Sequence, residues 1–256
     1  MIHRILMMLL LLLAAVDLTA QGHFYPDHPN NDAARYEGPV YGIKGGIVAP
    51  RFYYTSEALS GLSHELLLKP SAGCFVELPL SRSFTIAVEL DYQQRGDSIA
   101  YLFNGKQEQY RLMAHYVTAR APLSCYFPVS DRFKPYVFLS VEVGTPVAGE
   151  IVLKSPYHPA KTPISSANIN KLYAGALGGA GLRFNIPLSK TVLVLKLDAA
   201  VNLGLLDTYS ASERAGMANP LNIQAYTIKG QRLMRCLEGH LSIGFYINKP
   251  DACGWF

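Results

Sequence analysis

From Tyr41 onward, apolar and polar residues alternate along this chain with a period of two. The clearest stretch runs from Thr191 to Leu206. Leu193, Leu195, Leu197, Ala199, Val201, Leu203 and Leu205 fall on one face, and Val194, Lys196, Asp198, Ala200, Asn202 and Gly204 on the other. A helix would scatter Lys196 and Asp198 among the leucines, whereas a strand keeps them on one side. In Ser83 to Arg95, Phe84, Ile86, Val88, Leu90 and Tyr92 alternate with Thr85, Ala87, Glu89, Asp91 and Gln93. Val137, Leu139, Val141 and Val143 alternate in the same way with Tyr136, Ser140 and Glu142. The pattern predicts eight strands, over about 41–48, 70–79, 83–95, 109–126, 133–146, 172–186, 191–206 and 231–247.

The connections between them alternate too. Pro79-Leu80-Ser81-Arg82, Pro128-Val129-Ser130-Asp131 and Pro187-Leu188-Ser189-Lys190 are short and resemble one another. Proline cannot donate to a ladder, and serine favours a turn. The other connections are long: Ala49–Lys69, 96–108, Val147–Lys171 and Asp207–Gly230. Short turns at one rim and long loops at the other describe an all-β fold, an eight-stranded antiparallel up-and-down transmembrane β-barrel. In the best strands the apolar face carries no charge over about ten residues, the length a tilted membrane strand needs. A soluble lipocalin-like barrel is the rival architecture. It would turn the apolar face inward and place more Lys and Glu outside.

Composition agrees. Charged residues are 16% of the chain, against about 25% in average usage. Tyrosine is abundant, at 16 residues against one Trp, and together with high Gly and low charge this suggests a barrel that uses lipid as its solvent. A net charge of +4 is too mild to indicate nucleic acid. His3 and Arg4 precede the apolar run Ile5 to Val16, which is too short for a bilayer that needs about 20 residues. Residues 1–20 therefore read as a signal peptide, cleaved after Ala20. Residues 21–39 form an irregular leader, 40–248 the barrel and 249–256 a C-terminal tail. His23, Asp27, His28 and Asp32 lie in the leader without metal-ligand spacing, so no metal site is expected.

Several segments resemble the PorT-type outer-membrane β-barrel proteins of Gram-negative bacteria. Gly42-Ile43-Lys44-Gly45-Gly46 is similar to that family's opening strand, and Val88-Glu89-Leu90-Asp91-Tyr92-Gln93-Gln94-Arg95-Gly96 to its acidic-aromatic third strand. Tyr116 to Pro122, followed by Phe133-Lys134-Pro135-Tyr136, resembles the fourth and fifth strands. Gly178-Gly179-Ala180-Gly181 stands in the sixth. The resemblance covers about 41–247. It implies the barrel fold and the outer membrane of a Gram-negative bacterium, in contact with its lipid; the function expected of such a chain is a non-enzymatic integral outer-membrane protein, a component or partner-binding element of an envelope assembly or secretion system, with partners held through the long loops. It implies no catalytic residue and no cofactor.

Chemistry-bearing residues remain. Gly178–Gly181 is no dinucleotide loop, because period two continues through Arg183 and Asn185. Lys44, Glu77, Glu89, Asp91, Arg120, Lys134, Glu142, Arg183, Lys196, Asp198 and Glu238 all fall on the inward face. Eight strands leave a lumen just filled by side chains, so these charges must pair. They read as a structural network rather than an ion path, with Lys196 serving carboxylates such as Asp198 or Glu142. A small-solute transport barrel and a small outer-membrane enzyme are the rival functions. His240, Asp198 and a nearby Ser could be drawn as a triad, but no nucleophile elbow accompanies them. His115 and His240 read as packing residues. Cys125 falls near the rim where the tail emerges, which leaves a Cys125–Cys253 bond open.

Overall fold

A computed structural model describes residues 38–54, 63–81, 83–103, 105–127, 129–130, 132–157, 159–164, 169–188, 191–206, 208 and 232–247. Its strands are β1 (Val40–Tyr54), β2 (Ser63–His64), β3 (Lys69–Pro79), β4 (Phe84–Phe103), β5 (Lys106–Tyr126), β6 (Phe133–Lys154), β7 (Ala160–Pro163), β8 (Tyr173–Pro187), β9 (Thr191–Gly204) and β10 (Arg232–Ile247). The eight longer strands each pair antiparallel with the next in the chain, and β10 returns to pair with β1. The ring is closed, so no long sheet edge is left to aggregate. The expected signal peptide, the C-terminal tail and all but the end of the leader lie outside the described residues.

The short turns form as the Pro-Leu-Ser and Pro-Val-Ser sequences suggest. Ser81 Oγ accepts a hydrogen bond from the Phe84 N–H at 3.1 Å, and Ser130 Oγ accepts one from the Phe133 N–H at 3.0 Å. At the other rim the strands outrun the predicted boundaries. The expected loop 96–108 is instead the continuation of β4 and β5, which pair as far as Phe103 and Lys106. Gly105 lies at φ +74°, a conformation glycine adopts without steric cost. The signal was present in the sequence as the Asn104-Gly105 dipeptide. Within the expected loop Val147–Lys171, β6 runs on to Lys154 and β7 folds back on it. β1 likewise continues to Tyr54, and β2 pairs with the top of β4. The Asp207–Gly230 loop lies outside the described residues except for Thr208.

A β-bulge explains why strict alternation stops near residue 146. Tyr116 faces Pro146 while His115 faces Ala148, so Val147 is extra. Such an insertion exchanges the two faces of the strand. Glu142 points inward before the bulge, and Ile151 and Leu153 point inward after it.

The two faces divide as the sequence predicts. Outside lie Ile43, Ile47, Leu90, Val137, Leu139, Val141, Leu197, Leu237, Leu241 and Ile243, all exposed. Leu139 is 72% exposed although it sits in mid-strand. The uncharged outer stretches are 41–49 on β1, 84–92 on β4, 117–125 on β5 and 237–245 on β10. They match the roughly 9–11 residues a tilted strand needs to cross hydrocarbon. Tyr41, Phe84, Phe184 and Phe245 ring the end near the short turns, in the place of an aromatic girdle. The exterior is therefore built for lipid and the interior for charge, the reverse of a lipocalin-like barrel.

Leu139→Arg is expected to cost about 2–4 kcal/mol of stability near the bilayer midplane. Reversible unfolding in lipid vesicles measures it. A loss under 0.5 kcal/mol, as for an ordinary surface change, would contradict the lipid-facing assignment.

Candidate functional site: an ion network sealed in the lumen

Period two aims alternate side chains from all eight strands into one narrow interior, and the charged ones meet there. Nearest the short turns, Glu77 of β3 holds two cations. Arg183 Nη1 and Lys196 Nζ each lie 2.7 Å from its carboxylate. The Tyr126 hydroxyl donates to the same group at 3.3 Å. Arg183 stacks 5.3 Å over the Tyr126 ring, and Lys196 lies 5.0 Å from the Tyr136 ring. At mid-height Lys44 bridges Glu89 and Asp91, the latter at 2.8 Å, and Arg120 reaches Asp91 at 3.3 Å. Nearer the long loops, Glu142 pairs with Arg95 at 2.7 Å and with Arg120 at 3.0 Å. Glu238 pairs with Arg120 at 2.6 Å and Arg95 at 3.4 Å. Asn202 Nδ2 donates to Glu238 at 3.0 Å, and Asn202 Oδ1 accepts from the Tyr173 hydroxyl at 2.9 Å.

Glycines make room for the acids. A Cβ on Gly73 would stand 2.0 Å from Asp91 Oδ1, and one on Gly181 would stand 2.5 Å from Asp198 Oδ1. Both positions face the lumen, where only a hydrogen leaves space for a carboxylate across the ladder.

Apolar clusters lie on either side of these charges. Toward the long loops are Val48, Leu112, Ala114, Met234 and Cys236, with Ile169 entering from the segment before β8. Toward the short turns are Val40, Phe75, Val192, Val194 and Tyr246. Arg95, Glu77, Glu142 and Arg183 are each about 1% exposed. Walls of a water-filled channel would keep accessible surface; these do not.

Of the residues singled out in the sequence, Lys44, Glu77, Glu89, Asp91, Arg120, Glu142, Arg183, Lys196 and Glu238 lie in these ion pairs. Lys134 is half-buried at the short-turn rim, opposite Arg183 in register. Asp198 faces the lumen but joins no ion pair among the described residues. Lys196 therefore serves Glu77, not Asp198 or Glu142. The reason is geometric: partners in a narrow lumen are found across it as well as along the strand. Arg95 was missed because its strand was ended there, although it continues the parity of Glu89, Asp91 and Gln93. Asn202, Tyr126 and Tyr173 carry no charge and gave no signal.

The drawn triad does not assemble. His240 and Asp198 are cross-strand neighbours, yet His240 Nε2 and Asp198 Oδ1 each lack a hydrogen-bond partner among the described residues. His115 points outward instead and is hydrogen-bonded to Tyr92. Gly178–Gly181 lies inside β8, with strand on both sides. Cys74, Cys125 and Cys236 form no disulfide with one another, and Cys253 lies outside the described residues. Among the described residues no cluster of His, Cys, Asp or Glu could hold a metal ion. Outside the lumen, an open cleft of about 510 Å³ lies at the tip of β6 and β7, lined by Gln107, Leu153, Lys154, Pro156, Pro159 and Lys161.

Breaking a buried pair strands the surviving charge. Glu77→Gln removes the carboxylate that Arg183 and Lys196 share and is expected to cost about 3–5 kcal/mol. Lys196→Met leaves the Glu77–Arg183 pair standing and should cost less. Combining the two should recover part of the Glu77→Gln loss. Unfolding in lipid vesicles tests the order, and equal, additive losses would contradict the shared carboxylate.

No protein-family model matches the sequence, and no curated protein is similar to it. Several solved structures resemble it in shape. Neisserial surface protein A is 10% identical, with 82% of this chain and 97% of that one covered and a TM-score of 0.38. The outer membrane protein OprG of Pseudomonas aeruginosa is 11% identical over 84% and 97%, with a TM-score of 0.39. The outer membrane protease OmpT of Escherichia coli is 8% identical over 85% and 98%, with a TM-score of 0.37. At these identities and scores the likeness is one of outline, and no activity, ligand or partner passes from those proteins to this chain.

Proposed function

We propose that this chain is an integral outer-membrane protein of a Gram-negative bacterium and works as a closed, non-enzymatic anchor. Its tall long-loop side would be presented to another protein of an envelope assembly or secretion complex. The signal peptide read at 1–20 and the PorT-type resemblance belong to the same proposal. The observation that carries it is the sealed lumen. Charges paired to one another and flanked by apolar clusters leave neither a water path for solutes nor a place for a substrate beside His240. This argues against both the transport and the enzyme readings.

The arm supports a contact role. β4, β5 and β6 continue well past the uncharged belt, and β2 and β7 widen them into a sheet. Above the belt the outer face turns polar, with Glu150 and Lys161 paired at 2.7 Å and Arg111 lying 4.0 Å from Glu65. The open cleft sits at the tip of this sheet.

Three measurements test the reading. The purified chain should fractionate with outer membranes and migrate differently when unheated, as closed barrels resist detergent. In planar bilayers it should give no stepwise conductance; reproducible unitary steps would favour the transport barrel. A tag inserted near Pro159 should be labelled on whole cells and one near Ser130 should not, and the reverse pattern would overturn the orientation.

A further inference from the structure

The cleft at the tip of the arm is made by a strand turning back on itself. β7 pairs with the end of β6, so that Lys161 stands opposite Val152 and Ala160 opposite Leu153. The cleft holds about 510 Å³, and Lys154 and Lys161 both line it. Val152, Leu153, Pro156 and Pro159 supply the apolar part of its wall.

The charge of this wall has one sign. It carries two ammonium groups and no carboxylate. Lys161 is paired at 2.7 Å with Glu150, which lies outside the wall. Lys154 is exposed and has no hydrogen bond or ion pair among the described residues. The Ser155 hydroxyl, also in the wall, is already spent on Glu108. A free ammonium beside apolar surface suits an occupant that brings an anion and hydrocarbon together.

The shape of the site narrows the class of occupant. An inorganic anion would leave most of the volume and the apolar wall unused. A saccharide would lean on an aromatic face, and no aromatic ring lines the cleft; the neighbouring Tyr157 ring is covered by the Lys106 ammonium at 4.8 Å. Addition of a whole strand to β7 is blocked. The Ile164 N–H donates to the Gly149 carbonyl at 2.9 Å, so by alternation residue 163 faces the free edge. That residue is Pro163, which has no N–H to offer. The site is therefore read by side chains: carboxylates for the lysines, and an aliphatic group for the wall.

We propose that this cleft docks an acidic, leucine-bearing peptide segment of a partner protein, with Lys154 as the principal contact and Lys161 as the second. The proposal rests on the contact role given above and names the partner's chemistry.

The test uses the full chain in dimyristoyl phosphatidylcholine nanodiscs and fluorescence anisotropy of a labelled hexapeptide alternating Glu and Leu, with empty nanodiscs as the blank. The peptide should bind, and its counterpart alternating Gln and Leu should bind at least ten-fold more weakly. Lys154→Gln should weaken binding about three-fold and Lys154→Gln with Lys161→Gln about ten-fold, the scale of exposed ion pairs. Glu150→Gln releases Lys161 from its partner and should tighten binding about three-fold, a gain that misfolding would not produce. Unchanged binding in the double lysine variant would overturn the cleft. Equal binding of the Gln peptide, or tighter binding of an oligogalacturonate, would overturn the acidic peptide as its occupant. The whole-cell label near Pro159 separates the two readings: peptide binding without surface labelling would support the cleft and overturn the proposed presentation of the arm.

Discussion

Ring closure is the constraint on which the rest of this structure depends. In hydrocarbon each backbone N–H and C=O must be satisfied by the protein, and a closed antiparallel barrel achieves this with strands. Pairing β10 back to β1 removes the last long edge. Once the ring is closed at eight strands, its interior is only as wide as the side chains that fill it. Everything that points inward must then be compatible with everything else that does.

The ion network follows from that narrowness. A carboxylate in so small a space cannot keep its water, so it must find cations and donors. Glu77 finds Arg183, Lys196 and the Tyr126 hydroxyl; Glu142 finds Arg95, Arg120 and Asn202. Arg95 and Arg120 in turn bridge acids from different strands, so the network ties opposite walls together as well as neighbours. Such a network contributes less net free energy than its distances suggest, because each ion gave up hydration to enter. Its effect is on which filling of the lumen is allowed: a strand shifted by one residue would turn leucines inward and charges into lipid.

The filling also has limits along the barrel axis. The apolar clusters above and below the charges separate the network from both rims, and the polar surface reappears only beyond the belt. Polar groups reappear on the outer face of the arm built by β4 to β7, where Glu150 pairs with Lys161.

The sequence by itself determined the architecture. Strict alternation in Thr191 to Leu206, the repeated Pro and Ser turns and the uncharged outer stretches together specify strands, their number, their order and which face meets lipid. It also identified the inward charges, because parity needs no knowledge of neighbours. Only the tertiary structure decided who pairs with whom. Lys196 reaches Glu77 across the lumen, and no pattern local to β9 encodes that distance. The bulge at Val147 likewise hid the upper reach of β6, since one inserted residue exchanges faces and erases the period that reveals a strand, whereas the tight turn between β4 and β5 was marked by Asn104-Gly105. The cleft at Lys154 and Lys161 is the same kind of fact: two lysines come to line one site only because β7 folds back on β6.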